Sequence, residues 1–241
     1  VLINGVPING MENGKVYWSN WSGLSDVSQF IQVQRGLGAS ALGISSVGGT
    51  MNMVTKSTEA QKGGSAYFGI GNDGFRKYSV SFSTGLMDNG WAITFMGALN
   101  TGDGYVKGTN YEGWTYFGNI SKVINDHHKL SLTAFGAPQW HNQRSTMHYI
   151  EDYKNSPDGG RFNNGYGYIN GEAVGSGYGY NYYHKPQVSL NHYWTIDDKS
   201  TLTTSLYGSM ATGGGRRARG AMSNWPVSYT HLRAHETKAN L

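Results

Sequence analysis

The chain has no cysteine, only five prolines and few charges, and each shortage excludes something. Without cysteine there is no disulfide scaffold and no thiolate metal centre. Charged residues fill 14% of the 241 positions, against about a quarter in ordinary soluble domains. The formal charge of +4 is thinly spread, with one basic cluster at Arg216, Arg217 and Arg219. Nucleic-acid binding therefore has no electrostatic footprint. No run of about 18 apolar residues occurs, which excludes a transmembrane helix but not a transmembrane β-barrel, whose hydropathy signal is weaker. No nucleophile–base–acid constellation is visible, and the adjacent acids Glu151 and Asp152 lack a positioned partner. The expectation is a protein that is not an enzyme and has no cofactor or resident metal.

What is abundant points one way. Glycine occupies 36 positions, tyrosine 17, and aromatics make up 13% of the chain, a composition that favours strands and polar loops over helices. After a glycine-rich seam at 57–64, segments with period-2 alternation dominate. Seven strands are predicted, at 65–71, 77–86, 91–99, 114–122, 129–137, 187–196 and 201–210. Tyr78, Val80, Phe82 and Leu86 share one face against Ser79, Ser81, Ser83 and Gly85. Trp91, Ile93, Phe95 and Leu99 oppose Ala92, Thr94, Met96 and Ala98. Val188, Leu190, Trp194 and Ile196 oppose Ser189, Asn191, Tyr193 and Thr195, and Leu202, Leu206 and Met210 oppose Thr203, Ser205 and Ser209.

The connectors sort by parity. Short turns (MDNG, INDHH, IDDKS) alternate with connectors that tend to be longer: NDGFR, TGDGYVKGTNYEG and the stretch from Pro138 to Pro186. Transmembrane barrels keep short turns at the periplasmic rim and long loops at the other, whereas a soluble sandwich has no reason to do so. The apolar faces suit lipid, with Trp91, Trp114 and Trp194 near strand ends as an aromatic girdle, and the Ser/Thr/Asn faces suit a wet lumen.

The stretch VQRGLGASALGISSVGGTMNMVTK, residues 33–56, first suggests a nucleotide loop. A dinucleotide fingerprint needs a third glycine where Ala41 stands, a helix after it and an acid about twenty residues on; a Walker loop needs Gly-Lys-Ser/Thr. None is present, so the glycines read as tight turns and close backbone packing.

Three blocks in order carry a resemblance: LINGVPIN, FIQVQRGLGASALG and SVGGTMNMVTK. Together they resemble the C-terminal half of the plug domain of TonB-dependent outer-membrane receptors. Matching positions are Gly5, Val6 and Pro7; Val33, Arg35 and Gly36; Ser40 and Gly43; and Gly48, Gly49, Asn52, Thr55 and Lys56. Gln32, Leu37 and Leu42 depart from the common Glu, Pro and Tyr, and the Gln-Arg-Gly-Leu-Gly-Ala-Ser form is similar to a Bacteroidetes-type branch.

The resemblance implies a membrane β fold: the C-terminal part of a plug at 1–56, a linker at 57–64, and the first seven or so strands of a 22-stranded barrel at 65–225. Seven strands cannot close such a cylinder, so the chain is expected to continue beyond both ends, with a signal peptide and a TonB-contact segment before Val1. The implied function is TonB-dependent active transport of a scarce solute across the bacterial outer membrane, with an iron–siderophore or related chelate favoured over haem, cobalamin or oligosaccharide. The implied partners are TonB, outer-membrane lipid and that small molecule, not nucleic acid. A passive porin, or a surface-binding barrel such as an adhesin, is the alternative. Plug arginines of the family pair with barrel acids, which makes Arg35 a structural candidate.

Candidate solute-binding residues fall in two places. Tyr17, Trp18 and Trp21 follow the first strand and suit an apex facing the solute, although packing on the barrel wall is an equal role for both tryptophans. His141, His148, Tyr166 and Tyr168 lie in the stretch 138–186, where tyrosines could stack on a flat or sugar-like ligand. A metal site of histidines with Glu151 and Asp152 has the wrong spacing for a metal-binding helix. The residues from Pro226 to Leu241 lose alternation and glycine, and resemble translated adapter read-through; they are expected to be a non-native tail.

Overall fold

A computed structural model describes residues 1–10, 13–36, 48–144, 148–163, 165–166, 168–169, 172–173 and 179–216. Ser40, Gly43, Arg217, Arg219 and the whole tail lie outside these residues. The N-terminal part forms a four-stranded sheet from β1 (Leu2–Ile3), β2 (Val6–Pro7), β3 (Ser28–Arg35) and β4 (Gly49–Thr55), in the order β2-β1-β4-β3. β1 lies parallel to β4, and β3 lies antiparallel to it. A 3-10 turn at Trp18–Trp21 and the short helix α1 (Leu24–Val27) lead into β3.

The larger sheet holds β5 (Gly63–Ile70), β6 (Arg76–Leu86), β7 (Trp91–Gly102), β8 (Tyr111–Val123), β9 (His128–Gly136), β10 (Gln139–Asn142), β13 (Tyr180–His184), β14 (Gln187–Asp197), β15 (Ser200–Ser209) and β16 (Thr212–Gly215). A separate hairpin pairs β11 (Tyr168–Ile169) with β12 (Glu172–Ala173). All seven alternating segments are strands, and each pairs antiparallel with the next, in the order β5-β6-β7-β8-β9-β14-β15. The connector expected from Pro138 to Pro186 is shorter than that. Strand pairing resumes beyond both prolines, because β10 pairs with the start of β8, with β13 next to it and β16 beyond. Proline cannot donate to a ladder, so it bends these strands without ending them.

Two rims result. The turn rim carries the connectors 87–90, 124–127 and 198–199; the loop rim carries 71–75, 103–110 and 143–179.

Alternation sets what each face meets. One cross-strand row runs Ile93, Ile120, Leu132, Leu190, Leu206, and its members point away from the small sheet, Leu206 being 71% exposed. The adjacent row, Ala92, Ser121, Ser131, Asn191, is buried, with Ser121 at 0%. Asn119 donates to Ser131 Oγ at 2.9 Å and Thr133 Oγ1 at 2.8 Å, and Ser121 donates to Asn119 Oδ1 at 2.7 Å. Polar groups are thus buried with partners, as burial demands, while large apolar side chains are left outside. On β8 the outward stretch from Trp114 to Lys122 measures about 27 Å along the strand, or about 20 Å in height at a tilt of about 40°. That is close to the apolar band of a transmembrane barrel.

The main apolar core lies between the two sheets. Ile3, Ile8, Trp21, Leu24, Val27 and Met53 of the N-terminal part pack on Met96, Ala98, Phe117, Phe135 and Ala137 of the wall. Gly23, just before α1, has φ +78°, and a Cβ there would come within 2.7 Å of the Thr115 side chain. Only glycine allows this close approach without strain.

Candidate functional site

The first element of the site is the seam that holds the small sheet to the wall. Asp26 of α1 accepts two hydrogen bonds from Lys77 Nζ of β6, at 2.7 and 3.0 Å. Thr115 Oγ1 donates to the Ser22 carbonyl at 2.9 Å, and Ser57 and Ser121 hydroxyls meet at 2.8 Å. Beyond the sheet, Lys129 of β9 binds Glu59 at 3.2 Å. Burial pushes the Glu59 carboxyl up, but its backbone hydrogen bond and the Lys129 ammonium outweigh this and hold it below its ordinary value. A cleft of about 380 Å³ runs along the seam, lined by Asp26, Lys56, Glu59 and Gln61 on one side and Ser81, Ser83 and Thr94 on the other.

The glycine-rich stretch supplies strands and turns to this lobe. Gly5 (φ +82°) donates its N–H to Asn52 Oδ1 at 3.1 Å, while Asn52 Nδ2 donates to Gln32 Oε1 at 3.2 Å. Pro7 ends β2, where its missing donor costs nothing on an edge. Arg35 pairs in register with Gly49 (φ +123°), and Gly36 (φ +75°) donates to the Gly48 carbonyl at 3.4 Å. Lys56 donates its N–H to the Val27 carbonyl and its Nζ to the Asp26 carbonyl, which ties β4 to α1. Arg35 is exposed and makes no ion pair among the described residues. The ionic link across the seam has the opposite polarity, with the acid on the lobe and the base on the wall.

Tyr17, Trp18 and Trp21 separate into two environments. Trp21 is 3% exposed and stacks on Phe135 at 5.8 Å between ring centres. Of the two roles open to it, packing is the one the structure shows. A surface role for Trp21 is corrected accordingly, because a ring buried in the seam offers no face to a solute. Trp18 is 52% exposed and Tyr17 54%, with the Tyr17 hydroxyl accepting from Asn13 Nδ2 at 2.8 Å. The contacts of Trp21 with Phe135 and of Ser22 with Thr115 fall near the loop-rim ends of β9 and β8, which brings this segment to that rim.

The connector 143–179 is folded where it is described. It holds α2 (Ile150–Asn155), begun by Asp152 accepting the Tyr149 N–H at 2.9 Å, and a 3-10 turn at Gly159–Arg161. Asp152 is therefore a helix cap. Arg161 joins all three loop-rim connectors. Its guanidinium binds Asp73 at 2.7 Å, donates to the Tyr105 carbonyl at 3.2 Å and lies 4.8 Å from the centre of the Tyr105 ring. Lys107 pairs with Asp158, and Asn163 Nδ2 donates to the Lys107 carbonyl at 2.7 Å. None of these links was legible beforehand, since the partners lie in different connectors.

The remaining candidates are dispersed along this rim. His148 is set edge-on to Phe162 and Tyr153, with ring centres 5.2 and 5.8 Å away. His141 sits on β10 and donates through Nδ1 to Gln139 Oε1 at 2.7 Å. Tyr166 is half-buried, and Tyr168 begins β11. Arg216 lies over the Tyr180 ring at 5.5 Å. Among the described residues no three histidine or acidic side chains group as metal ligands, and no helix is long and apolar enough to cross a membrane.

Comparison with known families finds no family that matches the chain. Among solved structures, the ferric-catecholate import receptor Fiu of E. coli K12, in its open form, matches with a TM-score of 0.64 at 16% identity, over 88% of this chain and 31% of that one. The unliganded ferric citrate transporter FecA matches at 0.65 and 16%, over 91% and 32%. The ferripyoverdine receptor of the outer membrane of Pseudomonas aeruginosa, bound to ferripyoverdine, matches at 0.59 and 15%, over 92% and 30%. The chain spans about a third of the length of these receptors. At such identities the likeness is one of fold, and this chain is similar in fold to a section of these outer-membrane and iron-import receptors.

Proposed function

We propose that the chain is part of a TonB-dependent receptor that imports an iron chelate across the bacterial outer membrane. Residues 1–56 serve as the C-terminal part of its plug, and the strands from β5 onward begin a 22-stranded barrel. The observation that carries this reading is the inverted wall, whose polar face is buried against a folded lobe while its apolar face is exposed. Such a sheet suits lipid outside and a filled lumen inside. A passive porin has no use for the lobe. The loop rim then faces outward, and Tyr17, Trp18, His141, His148, Tyr166 and Tyr168 are the residues from which a solute surface would be drawn. Arg35 is left for an acid elsewhere in the barrel, and TonB would act through a segment before Val1. The protein works as a transporter, not an enzyme.

The test is uptake of radiolabelled ferric chelates by cells in which the intact gene is the sole receptor. Saturable uptake of at least one chelate that stops when TonB is deleted is the expected result. Uptake that persists without TonB would overturn the reading, as would passage rising linearly with solute concentration.

A further inference from the structure

At the turn rim the outward face of the wall ends in bases. Lys122 of β8, His128 of β9 and His192 of β14 all share the face of the apolar belt. Lys122 pairs across with Trp91 and His128 with Trp194, while His192 pairs with Leu130. Lys122 Nζ lies 5.1 Å from the centre of the Trp91 ring. The two imidazoles touch, Nδ1 of His128 to Nε2 of His192 at 3.0 Å, and their rings stack at 5.2 Å, with Trp194 stacked on His128 at 5.5 Å. Of the carboxylates near this rim, Asp88, Asp126, Asp197 and Asp198 are exposed in or beside the turns, and Glu59 is bound to Lys129 on the opposite face of the wall.

An outward base beside an apolar belt is costly in hydrocarbon, but the cost falls to nearly nothing at the interface, where headgroups meet it. Tryptophan anchors this level, and lysine adds attraction to anionic lipid. We propose that Trp91, Lys122, His128, His192 and Trp194 form a seat for the phosphodiester headgroup of a glycerophospholipid. Lys122 supplies the charge, the outer N–H of the histidine pair donates to a phosphate oxygen, and the indoles flank the glycerol region. The contact inside the pair uses one nitrogen of each ring, which leaves the other nitrogens for the headgroup. The inference rests on the membrane reading above.

Native mass spectrometry of the intact protein, released from detergent with dioleoylphosphatidylglycerol or phosphate-free dioleoylglycerol, tests it. The wild type should retain phosphatidylglycerol selectively. Lys122→Gln should weaken that retention roughly fivefold, and the added changes His128→Gln and His192→Gln should remove the selectivity without altering dioleoylglycerol retention. Equal phosphatidylglycerol retention in wild type and Lys122→Gln would overturn the seat, and the single variant suffices should the triple one fail to fold. Failure of the wild type to hold either lipid would instead count against the membrane reading on which the seat depends.

Discussion

The two sheets of this molecule differ in what they bury. The small sheet hides the apolar Leu2, Ile3 and Val6, while its edge strand β3 leaves Phe30, Ile31 and Val33 exposed beside Gln32 and Gln34. The large sheet hides Ser121, Asn119 and Asn191 and presents Ile120, Leu132 and Leu190. The same chain carries both patterns, so the difference lies in what each surface meets. Burial of apolar area stabilises the small sheet and its seam. On the reading proposed above, the outward face of the wall meets a medium as apolar as itself.

The seam is where the contrast breaks first. Trp21→Ala removes the largest ring from it and is expected to cost about 3–5 kcal/mol of lobe docking, read as accelerated limited proteolysis of residues 13–36 while the wall stays protected. Uniform proteolysis of both sheets would mean that the two do not form separable units. Next comes the outward belt. Leu132→Arg should cost about 2–4 kcal/mol for the protein folded in a bilayer, measured by reversible denaturant unfolding in vesicles. A water-facing position would lose under about 0.5 kcal/mol, so the size of the loss distinguishes the two media.

The smallest effect sits at the Glu59–Lys129 pair. The Glu59 carboxyl is held below its ordinary value of 4.5, so its contribution is complete above that pH and is lost as pH falls through the depressed value. Lys129→Gln should weaken this acid dependence without erasing it, because the backbone hydrogen bond to Glu59 remains, with a change of no more than about 1 kcal/mol for so exposed a pair. Thermal unfolding between pH 3 and pH 6 would show it as a narrowing of the difference between variant and wild type at the acid end. A difference that widens there would refute the assigned sign.

Alternation made the wall legible. Each of β5 to β9, β14 and β15 was marked in the sequence, and alternation even separated the lipid-suited face from the polar one, whereas β10 to β13 fell in a stretch read as a connector. Pro138 and Pro186 were less clear, because a proline that ends a strand looks the same in sequence as one that bends it. The pairing of β10 with β13, far apart along the chain, decides between them. The candidate site was only partly visible. Trp18 and Trp21 stand three residues apart in a segment without periodicity, so nothing local assigns one to the surface and the other to Phe135. Asp26 with Lys77, and Arg161 with Asp73, depend on long-range geometry that no spacing encodes. Asp152, which looked like half of an acidic pair, acts locally as a cap.

What the outward face of the wall touches can be measured directly, and no cysteine among these 241 residues competes with a placed label. Single cysteines placed in turn at 129–134 of β9 in the intact protein, spin-labelled and reconstituted in vesicles, report contact with dissolved oxygen, which concentrates in lipid, and with a water-soluble nickel chelate. High oxygen and low nickel accessibility is predicted at Leu132 and Ala134, with low values of both at Ser131 and Thr133. High nickel accessibility at Leu132 and Ala134 would place that face in water and contradict the membrane reading.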